Sequence, residues 1–165
     1  MDDVKWMRAA LDLAQDAKAR GEVPIGACIV SGDGELLSAS GNRTETDRSA
    51  TAHAELLAIA DACRKRGSRR LADCTLYVTL EPCPMCAGAI VSARIARVVF
   101  GAGDPRAGAF GSLIDLSALP LESRPELTRG VLAEECLLPI RRFFAARRGA
   151  PPTTEEPGSP FQKEQ

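Results

Sequence analysis

Two short stretches of this chain carry residue types at spacings suited to chemistry: Thr51-Ala52-His53-Ala54-Glu55 and Glu81-Pro82-Cys83-Pro84-Met85-Cys86. His53, Cys83 and Cys86 offer one imidazole and two thiols as metal ligands. Glu55, two residues after the histidine, adds a carboxylate that need not bind the metal. Three protein ligands leave tetrahedral zinc one position for water, which is the arrangement of a catalytic site rather than a structural one. Two thiolates and a neutral imidazole just offset the charge of Zn²⁺, so the metal can still acidify its water, from about 15.7 toward roughly 7. Glu55 is then the proton carrier, a role typically worth about 10²–10⁴-fold.

The spacing dictates where these residues must sit. Residues two apart on a helix point about 200° from each other, so His53 and Glu55 cannot meet within a helix. They converge only at its N-terminal tip. Cys83 and Cys86, three apart, share a face, and Pro84 suits a first helical position because its missing N–H costs nothing there. Both motifs therefore begin helices, and two positive dipole ends face one metal and favour thiolate. A lone Cys-x-x-Cys is weak evidence, compatible with a redox pair or half a zinc ribbon. Here there is no second Cys-x-x-Cys, and His53 is the only histidine. A structural zinc would leave the His-x-Glu spacing unexplained.

The elements that position these residues follow from the pattern along the chain. At 165 residues, 45% hydrophobic, one domain with one core is expected. Aromatics make up 4%, so the core must come from Ala, Leu, Ile and Val. Val4 to about Arg20 carries a helical stripe at Trp6, Ala9, Ala10, Leu13 and Ala17, stopping at Gly21. Ile25–Val30 and Glu35–Ser40 form a hairpin across Ser31-Gly32-Asp33-Gly34. Residues 42–50 are a loop. A helix over Ala52–Arg66 buries Leu56, Leu57, Ile59 and Ala60 and stops near Gly67. Then come a strand at Thr75–Thr79, a helix at Pro84–Ala93, a strand at Ala96–Phe100, a Gly-rich loop at 101–111 and a short strand at Glu126–Thr128. Leu132–Arg148 is helical with a break before Pro139. Alternating strands and helices predict an α/β sheet with at least one parallel pair. Residues 1–148 form the domain, and 149–165, poor in apolar residues, are a disordered tail.

A net charge of −1 gives no global attraction for nucleic acid, so RNA would have to be held by local patches or shape. No apolar run reaches the roughly 18 residues of a membrane span, and the acidic start Met1-Asp2-Asp3 is unlike a signal peptide. The expected location is the cytoplasm. There Cys28, Cys63, Cys74 and Cys136 read as small buried residues, not disulfides.

His-x-Glu followed by Pro-Cys-x-x-Cys is the signature of zinc deaminases of nucleobases. Beyond it, Val23-Pro24-Ile25-Gly26-Ala27, Thr51 to Glu55 and the run Leu76 to Phe100 resemble bacterial tRNA-specific adenosine deaminases of the cytidine deaminase superfamily, over roughly Trp6 to Arg148. Arg97 to Ala102 with Gly111-Ser112-Leu113 looks like the tRNA branch. The resemblance implies a three-layer α/β/α fold with a five-stranded mixed sheet. It implies a homodimer with one zinc per subunit and hydrolytic deamination of adenosine to inosine at the wobble position of a tRNA anticodon. By position, His53, Cys83 and Cys86 are the implied zinc ligands and Glu55 the proton shuttle. Asn42 and the backbone N–H of Ala54 would bind the target base, and Leu80 and Glu81 would line the site. Asp104 and Arg106 would hold neighbouring nucleotides, and Phe143 and Phe144, with nearby arginines, would edge the anticodon pocket. The chain departs from the pattern at Ser49-Ala50, at Pro105, and at Arg106, where a lysine is common. These departures touch the substrate loops, not the chemistry.

Several residues keep two readings. Asn42 and Asp104 suit turns as well as substrate contacts. Phe143 and Phe144 suit a core face as well as a flipped single strand. Arg64, Lys65, Arg66, Arg69 and Arg70 read as a solvated helix end. The zinc motif cannot distinguish a tRNA deaminase from a deaminase of a free base or nucleotide, of guanine or cytosine type; the loop 101–111 and the basic, aromatic C-terminal helix discriminate them. A non-catalytic zinc-stabilised RNA-binding module would leave Glu55 without purpose.

Overall fold

The structure, a computed structural model, describes residues 2–149. The expected disordered tail, apart from Gly149, lies outside the described residues. Helix α1 (Asp3–Ala19) is capped by Asp2, whose side chain accepts from Lys5 N at 3.0 Å. Its buried stripe is Met7, Ala10, Ala14 and Ala17. The stripe expected from the larger residues is thus rotated slightly: Trp6, Ala9 and Leu13 are half-buried at its edges.

Strands β1 (Gly26–Val30) and β2 (Leu36–Gly41) form the hairpin. β1 also pairs antiparallel with β3 (Thr75–Leu80), which runs parallel to β4 (Arg97–Ala102), itself parallel to β5 (Glu126–Arg129). The five-stranded mixed sheet has the order β2-β1-β3-β4-β5. Side chains alternate across it. Ala27, Ile29, Leu76, Val78, Val98 and Phe100 pack with α2 (Ala54–Arg66) and α3 (Pro84–Ser92). Cys28, Val30, Tyr77 and Val99 pack with α1 and α4 (Ala133–Arg148). The result is the three-layer α/β/α arrangement.

Three expectations change. On α2 the residues facing the sheet are Ala54, Ala58, Ile59 and Ala62; Leu56 and Leu57 are half-buried and Ala60 is exposed. Small side chains let this helix sit close to β1 and β2, so residue size misplaced its inner face. Gly67 ends α2 with φ 63°, a left-handed conformation that costs glycine little. Helix α4 continues through Pro139, because Cys136, Pro139 and Ile140 together form its buried face. Packing on the sheet holds the two halves in line across the missing N–H. Cys63, finally, is only half-buried.

Direction along the sheet brings the motifs together. β2, β3 and β4 all run the same way, opposite to β1. The segments after β2 (from Asn42), after β3 (from Glu81) and after β4 (from Gly103), and the one before β1, therefore meet at one edge. That edge lies beyond the carboxyl ends of the parallel strands, where α/β sheets bind ligands.

Candidate active site

Both motifs begin helices at this edge. His53 is the N-cap of α2 (φ −73°, ψ 147°) and Cys83 the N-cap of α3 (φ −72°, ψ 171°), with Pro84 following at the first helical position. Neither side chain caps its own helix, although N-cap side chains commonly do. Both turn inward instead. His53 Nδ1 lies 3.7 Å from Cys83 Sγ and 3.5 Å from Cys86 Sγ, and the three donor atoms fall within 4.8 Å of one another. Zn–S bonds of about 2.3 Å and Zn–N bonds of about 2.0–2.1 Å at tetrahedral angles require N···S separations of about 3.6 Å. The donor set therefore fits zinc in both chemistry and spacing. Among the described residues it is the one such group of metal-ligating side chains.

The electrostatics divide the two sulfurs. Cys83 is pulled down to about 4, first by the hydrogen bond it receives from Cys86 and further by His53, against the effect of burial. Cys86 is pushed well up, as the donor in that bond, by burial and by the neighbouring Glu55. His53 is raised, chiefly by its hydrogen bond with Cys83. Loss of the Cys86 proton gives a cation two anionic sulfurs, and both helix N-termini favour that charge. Glu55 occupies the second position of α2 and is 4% exposed. Burial raises its carboxyl to about 7, and its side chain reaches Cys86. A buried carboxylate with a raised pKa beside a metal donor set, and outside that set, is suited to taking up and releasing a proton near neutral pH.

At the same edge of the sheet lies a cavity of about 440 Å³, lined by Val23, Ile25, Leu80, Leu137 and Ile140 and by none of the donor residues. Its rim brings together Asp104, Arg106, Arg141, Phe144 and Arg148. Of the substrate residues implied by resemblance, Leu80, Asp104, Arg106 and Phe144 line this cavity. Phe143 does not; it packs edge-on against Phe144, with centroids 5.4 Å apart, and lies under the Arg147 guanidinium. Ala54, the first residue of α2, has a backbone N–H with no partner one turn back. Asn42 is buried, its Nδ2 at 3.4 Å from Thr44 Oγ1.

Glu81 corrects an expectation. It does not line the cavity; its carboxylate is buried beneath the loop after β4, where Asp104 N, Phe110 N and Ser112 N donate to it at 3.0–3.1 Å. Glu22, unnoticed in the sequence, has the corresponding place on the other side. It is fully buried and accepts from Thr46 N at 2.7 Å, Thr46 Oγ1 at 2.8 Å, and Glu45 N and Thr44 Oγ1 at 3.3 Å. Burial alone would raise its carboxyl, but these donors outweigh it and hold the group low. Nothing in residue type signals either role, since glutamate is ordinarily a surface residue. The basic residues at the far end of α2 stand apart from the site: Arg64 and Lys65 reach Asp61, Arg66 reaches Asp73, and all are exposed.

Comparison with known proteins bears on this geometry. Residues 1–102 match the family model of the cytidine and deoxycytidylate deaminase zinc-binding region. The chain is 46% identical over 147 residues to the tRNA-specific adenosine deaminase of Bacillus subtilis, covering 88% of this chain and 91% of that protein. It superposes with a TM-score of 0.79, at 43% identity, on a solved tRNA:A34 deaminase from work on A-to-I editing at the wobble position of transfer RNA. That match covers 82% of this chain and 98% of the other. The guanine deaminase of Bacillus subtilis matches with a lower TM-score of 0.60 and 34% identity, over 94% of this chain and 99% of that one.

Proposed function

The chain belongs to the cytidine and deoxycytidylate deaminase family, and from that premise we propose that it hydrolyses adenosine to inosine at the wobble position of a tRNA anticodon. One observation carries the chemistry: a His-Cys-Cys donor set with the separations of a tetrahedral zinc site, and the buried Glu55 carboxyl beside it without belonging to it. When bound, zinc supplies the positive charge that makes a neighbouring water acidic enough to attack near neutral pH. Glu55 accepts the proton released as the water oxygen bonds to the amino-bearing carbon of adenine. It passes a proton to the adjacent ring nitrogen and then to the departing amine. Adenosine and water become inosine and ammonia. The N–H of Ala54, at the positive end of α2, donates toward the oxygen that becomes the product carbonyl, and Asn42 orients the base.

The arginine-rich cavity supports RNA over a free base. The 440 Å³ lined by Arg106, Arg141, Arg148 and Phe144 suits nucleotides neighbouring the target, with phosphates on the guanidinium groups and a base stacked on the ring. The closer superposition on the tRNA:A34 deaminase than on the guanine deaminase points the same way. The reading includes one zinc per subunit and a location in the cytoplasm with the substrate. It also includes a homodimer, as the resemblance to the family implies. No helix among the described residues is long and apolar enough to cross a membrane.

The test is mass analysis of nucleosides from tRNA incubated with the zinc-loaded protein. Inosine appearing in an anticodon stem-loop, with free adenosine and guanine untouched, is the expected result. Turnover of a free base or nucleoside with none on RNA would replace this reading by that of a small-molecule deaminase.

A further inference from the structure

The loop 103–112 presents five successive residues to the cavity, Gly103 to Ala107. It belongs to neither helix nor strand, so something must fix its shape. Within it, Gly108 N donates to Asp104 O at 2.8 Å and Arg106 N to Asp104 Oδ1 at 3.0 Å. These local bonds shape the turn at Asp104 but do not anchor it to the body of the protein. Arg129 ties down one end, its guanidinium donating to Phe110 O at 2.8 and 3.3 Å, and Glu81 anchors both ends. Oε2 accepts from Asp104 N at 3.0 Å, near the start of the loop, and Oε1 accepts from Phe110 N at 3.0 Å and Ser112 N at 3.1 Å, at its end. The loop is thus wound around one carboxylate, which is 3% exposed. The fit is close: a Cβ on Gly108 would overlap the Glu81 carboxylate, and one on Gly103 would lie 3.1 Å from Ser112 Oγ. The same residue is bound into the metal-binding turn. Glu81 N donates to Ala102 O at 2.8 Å, Ala109 N donates to Pro82 O at 2.9 Å, and Cys83 follows directly.

Resting on the tRNA reading above, we propose that Glu81 is a positioning residue for the substrate: it ties the loop that carries Asp104 and Arg106 to the turn that carries Cys83, so that the RNA-facing side chains and the reacting centre keep a fixed register. The carboxylate is needed for a stated chemical reason. Both oxygens face N–H donors, so an amide of the same shape must turn its own NH₂ toward at least one of them, in a site closed to water. A hydrogen-bonded buried anion with three backbone donors is the strong form of such an anchor. The glycine at 108 then has a function of its own, leaving room for the carboxylate.

Glu81→Gln tests this against an anticodon stem-loop substrate. KM should rise about tenfold or more while kcat stays within about threefold and zinc content equals wild type, because binding geometry is lost and the chemical groups are not. Amide hydrogen exchange at Asp104, Phe110 and Ser112 should accelerate. Gly108→Ala, which presses on the same carboxylate and on Asp104 O from the loop side, should give the same split. If Glu81→Gln does not fold, Gly108→Ala carries the test with the same readouts. Unchanged KM in these variants, or a fall in zinc content and kcat with KM unchanged, overturns the proposal. Unchanged exchange at the three amides overturns it even if the wild-type protein proves inactive on RNA, an outcome that would instead sink the tRNA reading.

Discussion

Glu22 is the residue whose removal gives the most informative stability measurement. It is fully buried and holds the segment between β2 and His53 by two short contacts on Oε1, from Thr46 N at 2.7 Å and Thr46 Oγ1 at 2.8 Å. On Oε2 there are three longer ones, from Glu45 N and Thr44 Oγ1 at 3.3 Å and from Asn42 Nδ2 at 3.5 Å. In Glu22→Gln the amide oxygen can take the Oε1 place and keep both short bonds, now without charge. Its NH₂ replaces Oε2, where only the Thr44 hydroxyl can turn to accept. Charge-assisted bonds are worth about 1.5–3 kcal/mol each and neutral ones about 0.5–1.5, which sets the loss at about 1–2 kcal/mol. Glu22→Ala leaves the N–H groups of Glu45 and Thr46 without their acceptor. Both residues are exposed, so water satisfies part of the loss, and about 2–4 kcal/mol is expected. Urea unfolding of the zinc-loaded protein measures both. The pH dependence is a second signature. The Glu22 carboxyl is held below its free value of 4.5, so its stabilisation is complete above that value and disappears as pH falls through the lower, folded value. The difference between wild type and Glu22→Gln should be constant at neutral pH and shrink below about 4.5. A Gln variant within about 0.5 kcal/mol of wild type, with an unchanged acid limb, would refute the reasoning, since that is the scatter of an ordinary surface substitution.

Glu55→Gln should lower kcat by about 10²–10⁴-fold or more with zinc content unchanged by metal analysis; activity near wild type would remove Glu55 as the proton carrier. Cys86→Ser should lose zinc on dialysis against a chelator that leaves the wild type loaded, because a hydroxyl is a far poorer ligand than thiolate. Phe144→Ala should raise the KM for RNA about tenfold, a stacked base being worth about 1–3 kcal/mol. Phe143→Ala should change it less than threefold; the reverse ranking would place the wrong ring on the cavity. RNA affinity should also fall steeply with added salt if Arg106, Arg141 and Arg148 meet phosphates.

The clustering of His53, Cys83 and Cys86 was legible because it depends on local geometry. A two-residue interval between His53 and Glu55 allows convergence only at a helix start, and Pro84 marks another. The structure places His53 and Cys83 at N-caps, as that argument requires. Strand positions were legible to within two residues because β-branched runs alternate with glycine and polar turns. The inner face of α2 was not, because close packing selected Ala54, Ala58 and Ala62 over larger neighbours. The break expected before Pro139 failed for a related reason: proline costs one backbone bond, while burial of Cys136, Pro139 and Ile140 on the sheet keeps α4 in one piece.

By itself, then, the amino-acid sequence determined which side chains gather, His53, Cys83 and Cys86, and which helix starts must face each other. These are properties of residue type and of intervals of two or three along the chain. Only the tertiary structure decided how the substrate side is built. Glu22 and Glu81 meet their loops across more than twenty residues of chain, Phe144 rather than Phe143 reaches the cavity, and Val23, Ile25 and Leu80 become its floor. Such contacts depend on strand order and direction, which bring distant segments to one edge, and a buried carboxylate is recognisable only once the backbone N–H groups around it are in place.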